Sequence, residues 1–371
     1  MVAERIGFLH LPHLRHDRAL TPCPDRAISP LAERAVPSPV QADSAAELGS
    51  DPAPCGVVEL LLLAAGVALI VWGAEQFAEH LAAASARLGV TTFALALLLA
   101  GAEPEELATA VTAGVRDVPA VAFGDVIGAN AAICLVALAV GALVAPLPFS
   151  PMTRLYAALA LPAGVLAVAF AWDGEVGRVE GAVLVIAYVS YVALIWVRER
   201  RPPSLGETGE LEEAAASGAS SGRIGRDLGL VLVGTVAIVV GATMLVEAVR
   251  RFTDVESDQT RLSLTVVGFA TAFELVVLAW SSARRGISDA VVAAVIGSYA
   301  YNATMTLGAA AVITPLGISD ATLVRVPMLG MIAALVLVLG LSYRTGRLTR
   351  PDAAVLLGGY ALFLGVSLTV G

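Results

Sequence analysis

From Val57 onward the chain alternates long apolar runs with short polar or charged turns. The runs are about 20 residues long, the length an α-helix needs to cross the hydrocarbon core of a bilayer. The pattern predicts ten such helices, near 57–79, 90–115, 120–145, 154–172, 180–197, 228–249, 262–283, 288–314, 322–343 and 352–370. Between the fifth and sixth lies RERRPPSLGETGELEEAAASGASSGRIGRD, charged and rich in Gly and Ser, which cannot build a core. Residues 1–54 are rich in Pro, Arg and Asp and hold no run of spanning length. The expected organisation is a disordered tail over 1–54, five helices over 55–200, a linker over 201–226 and five helices over 227–371.

The two sets of five resemble each other. VWGAEQFAEH (71–80) compares with VVGATMLVEA (239–248), where Gly73 and Ala74 match Gly241 and Ala242 at an offset of 241 − 73 = 168. The same offset carries Glu79 to Glu247, Glu106 to Glu274 and Leu107 to Leu275. Further on, FGDVIGAN (123–130) compares with AAVIGSYAYN (293–302), with Gly128 on Gly297 and Pro146 on Pro315 at an offset of 169. Five is an odd number, so matched helices enter the membrane from opposite sides. The expected fold is all-α: a polytopic membrane protein of about ten transmembrane helices in two inverted five-helix repeats, with matched segments facing each other near the midplane.

Against that apolar background the segment GAEPEEL (101–107) stands out, because Glu103, Glu105 and Glu106 fall inside a spanning run. A charged side chain there costs roughly 2.5–3.5 kcal/mol on insertion scales, so three unpaired ones cost on the order of 10. Such residues persist where they hold something, and a dehydrated cation needs oxygen ligands and negative charge. Glu106 and Glu274 offer one carboxylate from each half. Glu103 precedes Glu106 by three positions, which on a continuous helix shares a face, and Thr271 holds the matching place before Glu274. Ser298 and Asn302, four apart, add a hydroxyl and an amide oxygen from the eighth helix. These six residues are the candidate cation site. Pro104 is expected to kink the second helix and free the Ala100 carbonyl, while the seventh helix has only Gly268 to disturb it. On the same helical reading Glu105 points about 100° away from Glu106, toward water. Asp125 fits a helix cap as well as an ion contact.

Composition agrees with the pattern. The chain has 371 residues, 57% hydrophobic and 15% charged, with a mean hydropathy of +0.81. A net charge of −9 and the absence of any basic tract argue against nucleic acid as a partner; the expected partners are inorganic cations and the lipid bilayer. All 23 basic residues are arginine. Twelve lie on one set of loops, Arg198, Arg200 and Arg201 among them, against six on the other, Arg116 and Arg325 among them, which places the 201–226 linker in the cytoplasm. Cys23, Cys55 and Cys134 have neither pairing nor metal spacing. His10, His13 and His16 recur every three residues, but the prolines around them and the lack of a second ligand group argue against a metal site.

The two motif stretches resemble the alpha repeats of the cation/Ca2+ exchanger superfamily, which includes the sodium/calcium exchangers. The resemblance spans about 57–371. Repeats in that family read like GTSLPEL, then a polar turn, then a GSNxxN-like segment. It implies an antiporter that moves Ca2+ against Na+ or H+ by alternating access, in the cell membrane, with no cofactor beyond the transported ions. The family's ligand glutamates fall on Glu106 and Glu274. Its preceding hydroxyl positions fall on Ala102 and Glu103, then on Ala270 and Thr271. Its Ser and Asn fall on Ser298 and Asn302 in the second repeat but on Ala129 and Ile133 in the first, which cannot ligate. Asn130 matches the middle Asn, where the second repeat has Tyr299. The proline that usually precedes the Glu stands at Pro104 in one repeat and is replaced by Phe273 in the other. A proton-coupled exchanger of other cargo, and a transport-inactive protein of the same fold, are the competing readings. An intramembrane protease is disfavoured, because Ala122 stands where GxGD requires glycine and no HExxH occurs.

Overall fold

The computed structural model describes residues 57–88, 103–199, 224–285 and 288–369. The expected tail over 1–54, linker residues 201–223 and the stretch 90–102 that leads into GAEPEEL lie outside them. Gly56–Gly371 form one compact unit.

Among the described residues ten helices follow in order: α1 (Val57–Leu88), α2 (Pro104–Val115), α3 (Pro119–Val144), α4 (Pro151–Phe170) and α5 (Arg178–Glu199). Then come α6 (Ile224–Phe252), α7 (256–285), α8 (288–313), α9 (Thr322–Thr345) and α10 (Arg350–Thr369). Eight are long and apolar enough to cross a membrane. The other two, α2 and α8, hold or adjoin four of the six candidate residues, and the remaining two lie in α7. The described part of α2 has 12 residues, and α8 is made more polar by Ser298, Asn302, Thr304 and Thr306, all buried.

The centre of the molecule is α3, buried at every position from Ala120 to Ala139, and its repeat mate α8. Each contains one wide turn of π-helix, Ile133–Ala137 in α3 and Tyr301–Thr306 in α8, and 133 + 169 = 302 falls within the second, so the two turns overlap in register. Such turns leave the regular i→i−4 ladder and recur at functional sites. The seventh helix is irregular too, despite having no proline. A π turn at Ser263–Val267 is followed by a short segment, Gly268–Thr271, and the helix restarts at Phe273.

Two short ribbons tie the halves together. β1 (Leu147–Pro148), after α3, pairs antiparallel with β4 (Arg347–Leu348), after α9. β2 (Glu175–Val176), after α4, pairs antiparallel with β3 (Leu316–Gly317), after α8. Because α9 runs from β3 to β4, the matched helices α3 and α8 end at opposite ends of the molecule.

The outer pair α1 and α6 shows the same exchange. A Cβ on Gly66 would lie 2.9 Å from the Gly241 carbonyl, and one on Gly73 would lie 2.8 Å from the Gly234 carbonyl. As the number rises on one helix it falls on the other, so the two run antiparallel. Since 66 + 168 = 234 and 73 + 168 = 241, the two glycine contacts exchange into each other. Small residues here let the backbones approach closely, as membrane helices do when packing, not water, drives association.

Candidate ion site

Pro104 is the first residue of α2, the position where its missing N–H is of no consequence. Glu103 therefore precedes the helix, with φ −101° and ψ 83°, and its carbonyl accepts from the Leu107 N–H at 3.1 Å. Glu105 and Glu106 fall in the first turn of α2, and Glu274 falls in the first turn of the segment that restarts at Phe273. Both repeat-mate glutamates thus stand at the positive end of a helical segment, which favours a carboxylate by about 0.3–1 kcal/mol. That is small against the cost of burial, so the dipole alone does not explain them.

At its other end α2 turns sharply. Asp117 takes a left-handed conformation (φ 60°), Val118 N–H bonds the Ala113 carbonyl at 2.9 Å, and α3 begins at Pro119. The tight hairpin sets Glu106 and Asp125 at similar depth on antiparallel neighbours, one about ten residues before the turn and one about eight after.

Side-chain relative exposure is 6% for Glu103, 2% for Glu105, and 0% for Glu106 and Asp125. No basic side chain pairs with any of these four among the described residues. Ser298 donates its hydroxyl to Glu103 Oε1. The Glu105 carboxyl lies within hydrogen-bonding reach of Glu103. Thr271 donates to Asp125 Oδ1 at 2.8 Å, closer than the Val267 and Gly268 carbonyls at 3.2 and 3.4 Å. Asn302 faces Glu106 from the π turn of α8 and accepts from Thr306 at 3.3 Å. Glu106 is close enough to Glu103, Asp125 and Glu274 to feel their charge. Both oxygens of Glu106, Oδ2 of Asp125, Oε2 of Glu105 and the Asn302 amide nitrogen are buried without a hydrogen-bond partner. Unsatisfied buried groups are costly, and this many in one place is unusual. Among the described residues no three His, Cys, Asp or Glu side chains converge as a completed metal site.

All six candidate residues are thus gathered around one region of the interior. Two expectations need correction. Glu105 does not look toward water: it keeps its angle to Glu106 within the first turn of α2, but that side of the turn is buried too, so Glu105 lies inside beside Glu103. Asp125 does not cap α3, which begins six residues earlier at Pro119. The Ala100 carbonyl lies outside the described residues. Asn130 is also placed: its amide donates to the Tyr299 carbonyl at 3.3 Å, and since 130 + 169 = 299 the two repeat mates touch.

The sequence profile of the sodium/calcium exchanger protein family matches residues 58–197 and 227–369, both five-helix halves. The chain belongs to the sodium/calcium exchanger family. This exchanger is accordingly an integral membrane antiporter and not an enzyme. It is 24% identical over 345 residues to sodium/calcium exchanger MaX1 of Methanosarcina acetivorans, covering 83% of this chain and 98% of that protein. It is also 24% identical over 317 residues to inner membrane protein YrbG of Escherichia coli, covering 82% and 95%. Among solved structures, the sodium-calcium exchanger NCX_Mj superposes with a TM-score of 0.54 at 17% identity, over 83% of this exchanger and 98% of that chain. At that identity the likeness establishes the fold.

Proposed function

We propose that this exchanger moves Ca2+ across the membrane against Na+ or H+ by alternating access, with the cation held near the midplane by Glu106, Glu274, Glu103, Thr271, Ser298 and Asn302. The observation that carries this reading is Glu106. A fully buried carboxylate with two unpartnered oxygens, facing an amide and three other carboxylates, is a site that a divalent cation completes. The two halves, 55–200 and 227–371, act as inverted repeats, and their exchange of conformation opens the site to one side and then the other. The second half contributes most of the neutral ligands (Thr271, Ser298, Asn302), and the first contributes mainly charge. The exchanger acts in the cell membrane on this reading, and the arginine distribution supports a cytoplasmic 201–226 linker.

The test is Ca2+ uptake into proteoliposomes under an imposed Na+ gradient and, separately, an imposed pH gradient. Wild type should accumulate Ca2+ under at least one. Glu106→Gln and Glu274→Gln, which keep shape and remove charge, should each abolish uptake while eluting and melting as wild type does. A well-folded Gln variant with normal flux would remove that residue from the site. A wild type that moves Na+ or H+ without Ca2+ would make the cargo another cation.

A further inference from the structure

We propose that Asp125 is a ligand of the transported divalent cation, supplying from α3 the oxygen that Ala129 and Ile133 cannot. The inference rests on the exchange reading above and extends the site to a residue outside its six proposed ligands. Asp125 lies four residues before Ala129, hence on the same face of α3 and about 6 Å along its axis. Its own repeat mate is 125 + 169 = 294, which is Ala294. The carboxylate is therefore a feature of the first half alone, where the neutral ligands are missing.

The sequence around Asp125 brings it against α7. A Cβ on Gly124 would stand 2.4 Å from Ser263 Cβ, and one on Gly128 would stand 2.4 Å from the Leu264 carbonyl oxygen. A Cβ on Gly268 would stand 2.6 Å from the Ala129 nitrogen. Three glycines on two helices allow a backbone approach that no other residue would permit, and the π turn at Ser263–Val267 is the surface they meet. At that spacing Thr271 reaches Asp125 Oδ1 at 2.8 Å. By donating its proton there, Thr271 keeps its own lone pairs available to a cation.

Asp125 Oδ2, fully buried, has no partner. An aspartate kept only to brace two helices would have both oxygens satisfied by donors; this one has a single hydroxyl. Glu106, close enough to feel its charge, is likewise buried and unpartnered on both oxygens. Two carboxylates from the α2–α3 hairpin, at similar depth, thus present three bare oxygens with no basic partner among the described residues. A positive ion of high charge is the ligand that arrangement fits.

The experiment measures Ca2+ and Na+ binding to the purified full chain, by calorimetry and by cation-induced thermal stabilisation, for wild type and Asp125→Asn. Asparagine keeps the volume and an oxygen for Thr271 and removes one charge. A divalent ion feels that loss twice as strongly as a monovalent one at the same distance, so Ca2+ affinity should fall roughly tenfold or more and Na+ affinity by less. Unchanged Ca2+ affinity, or an equal loss for both ions, overturns the proposal. If Asp125→Asn does not fold, Asp125→Glu keeps the charge and advances the oxygens by one methylene. It should then alter the ratio of Ca2+ to Sr2+ affinity, and an unaltered ratio overturns the proposal. A wild type that binds no divalent cation overturns the exchange reading and this one together, whereas a wild type that binds Ca2+ beside an unaffected variant overturns this one alone.

Discussion

Whether protons take part in exchange turns on Glu103. Its carboxyl accepts from the Ser298 hydroxyl and lies within reach of the Glu105 carboxyl, and two carboxyl groups so close hold a proton between them more readily than they both ionise. A divalent cation that recruits both groups as ligands must displace that proton, so Ca2+ arrival should release acid. Glu103→Ser, which restores a hydroxyl nearer to the family's usual residue, removes one member of the pair. Proton release on Ca2+ addition, followed with a pH indicator on purified protein, should fall in Glu103→Ser relative to wild type. Equal release from both would mean that Glu103 carries no exchanged proton. Part of this candidate site was legible in the sequence. Glu106 and Glu274 were recognisable because a charge at one fixed offset in two apolar spans has no compositional origin. Glu105 was misread because a helical wheel gives a direction and not what packs there, and the first turn of α2 is buried on the Glu105 side as well.

At the scale of elements, the ten helices followed from run length and polar turns, since membrane spanning imposes both. The interruptions did not. The π turns at Ile133–Ala137 and Tyr301–Thr306 share almost no residue types, and α7 breaks after Thr271 without proline or a nearby signal other than Gly268. These are consequences of packing, which the sequence of a single helix does not display. The α3–α7 contact shows how strict that packing is. Gly128→Ala would drive a methyl into the Leu264 backbone, where nothing flexible can yield. Overpacking of this kind costs about 1–3 kcal/mol, or moves the helices apart. Separation would pull Thr271 away from Asp125, so Gly128→Ala should lower both the melting temperature and the Ca2+ affinity. Gly229→Ala, where a Cβ meets nothing, is the control and should change neither. A Gly128→Ala protein that melts and binds as wild type does would show that the contact is looser than the geometry indicates.

For the whole molecule, the exchange of ribbons and of α1–α6 glycine contacts describes two halves that are equivalent in plan and unequal in detail. One inequality lies at the helix ends. Arg116, closing α2, pairs with Glu247 on α6 at 3.2 Å, and Arg251 joins the same carboxylate at 2.9 Å. The repeat mates are 116 + 168 = 284 and 247 − 168 = 79, so the chain provides Arg284 and Glu79 for the same contact at the other end. Those two are not paired with each other; Arg284 lies instead over the Trp280 ring at 4.8 Å. If the halves exchange conformations during transport, one pair closes as the other opens. Both partners of the closed pair are part-exposed, at 35% and 28%, so the bridge contributes at most about 1 kcal/mol. That is enough to bias a near-balanced equilibrium several-fold and too little to lock it. Arg116→Ala and Arg284→Ala should therefore both still transport, while shifting the apparent Ca2+ affinity measured from the two faces of the proteoliposome in opposite directions. Shifts in the same direction, or none, would mean that these arginines serve only the local ends of α2 and α7.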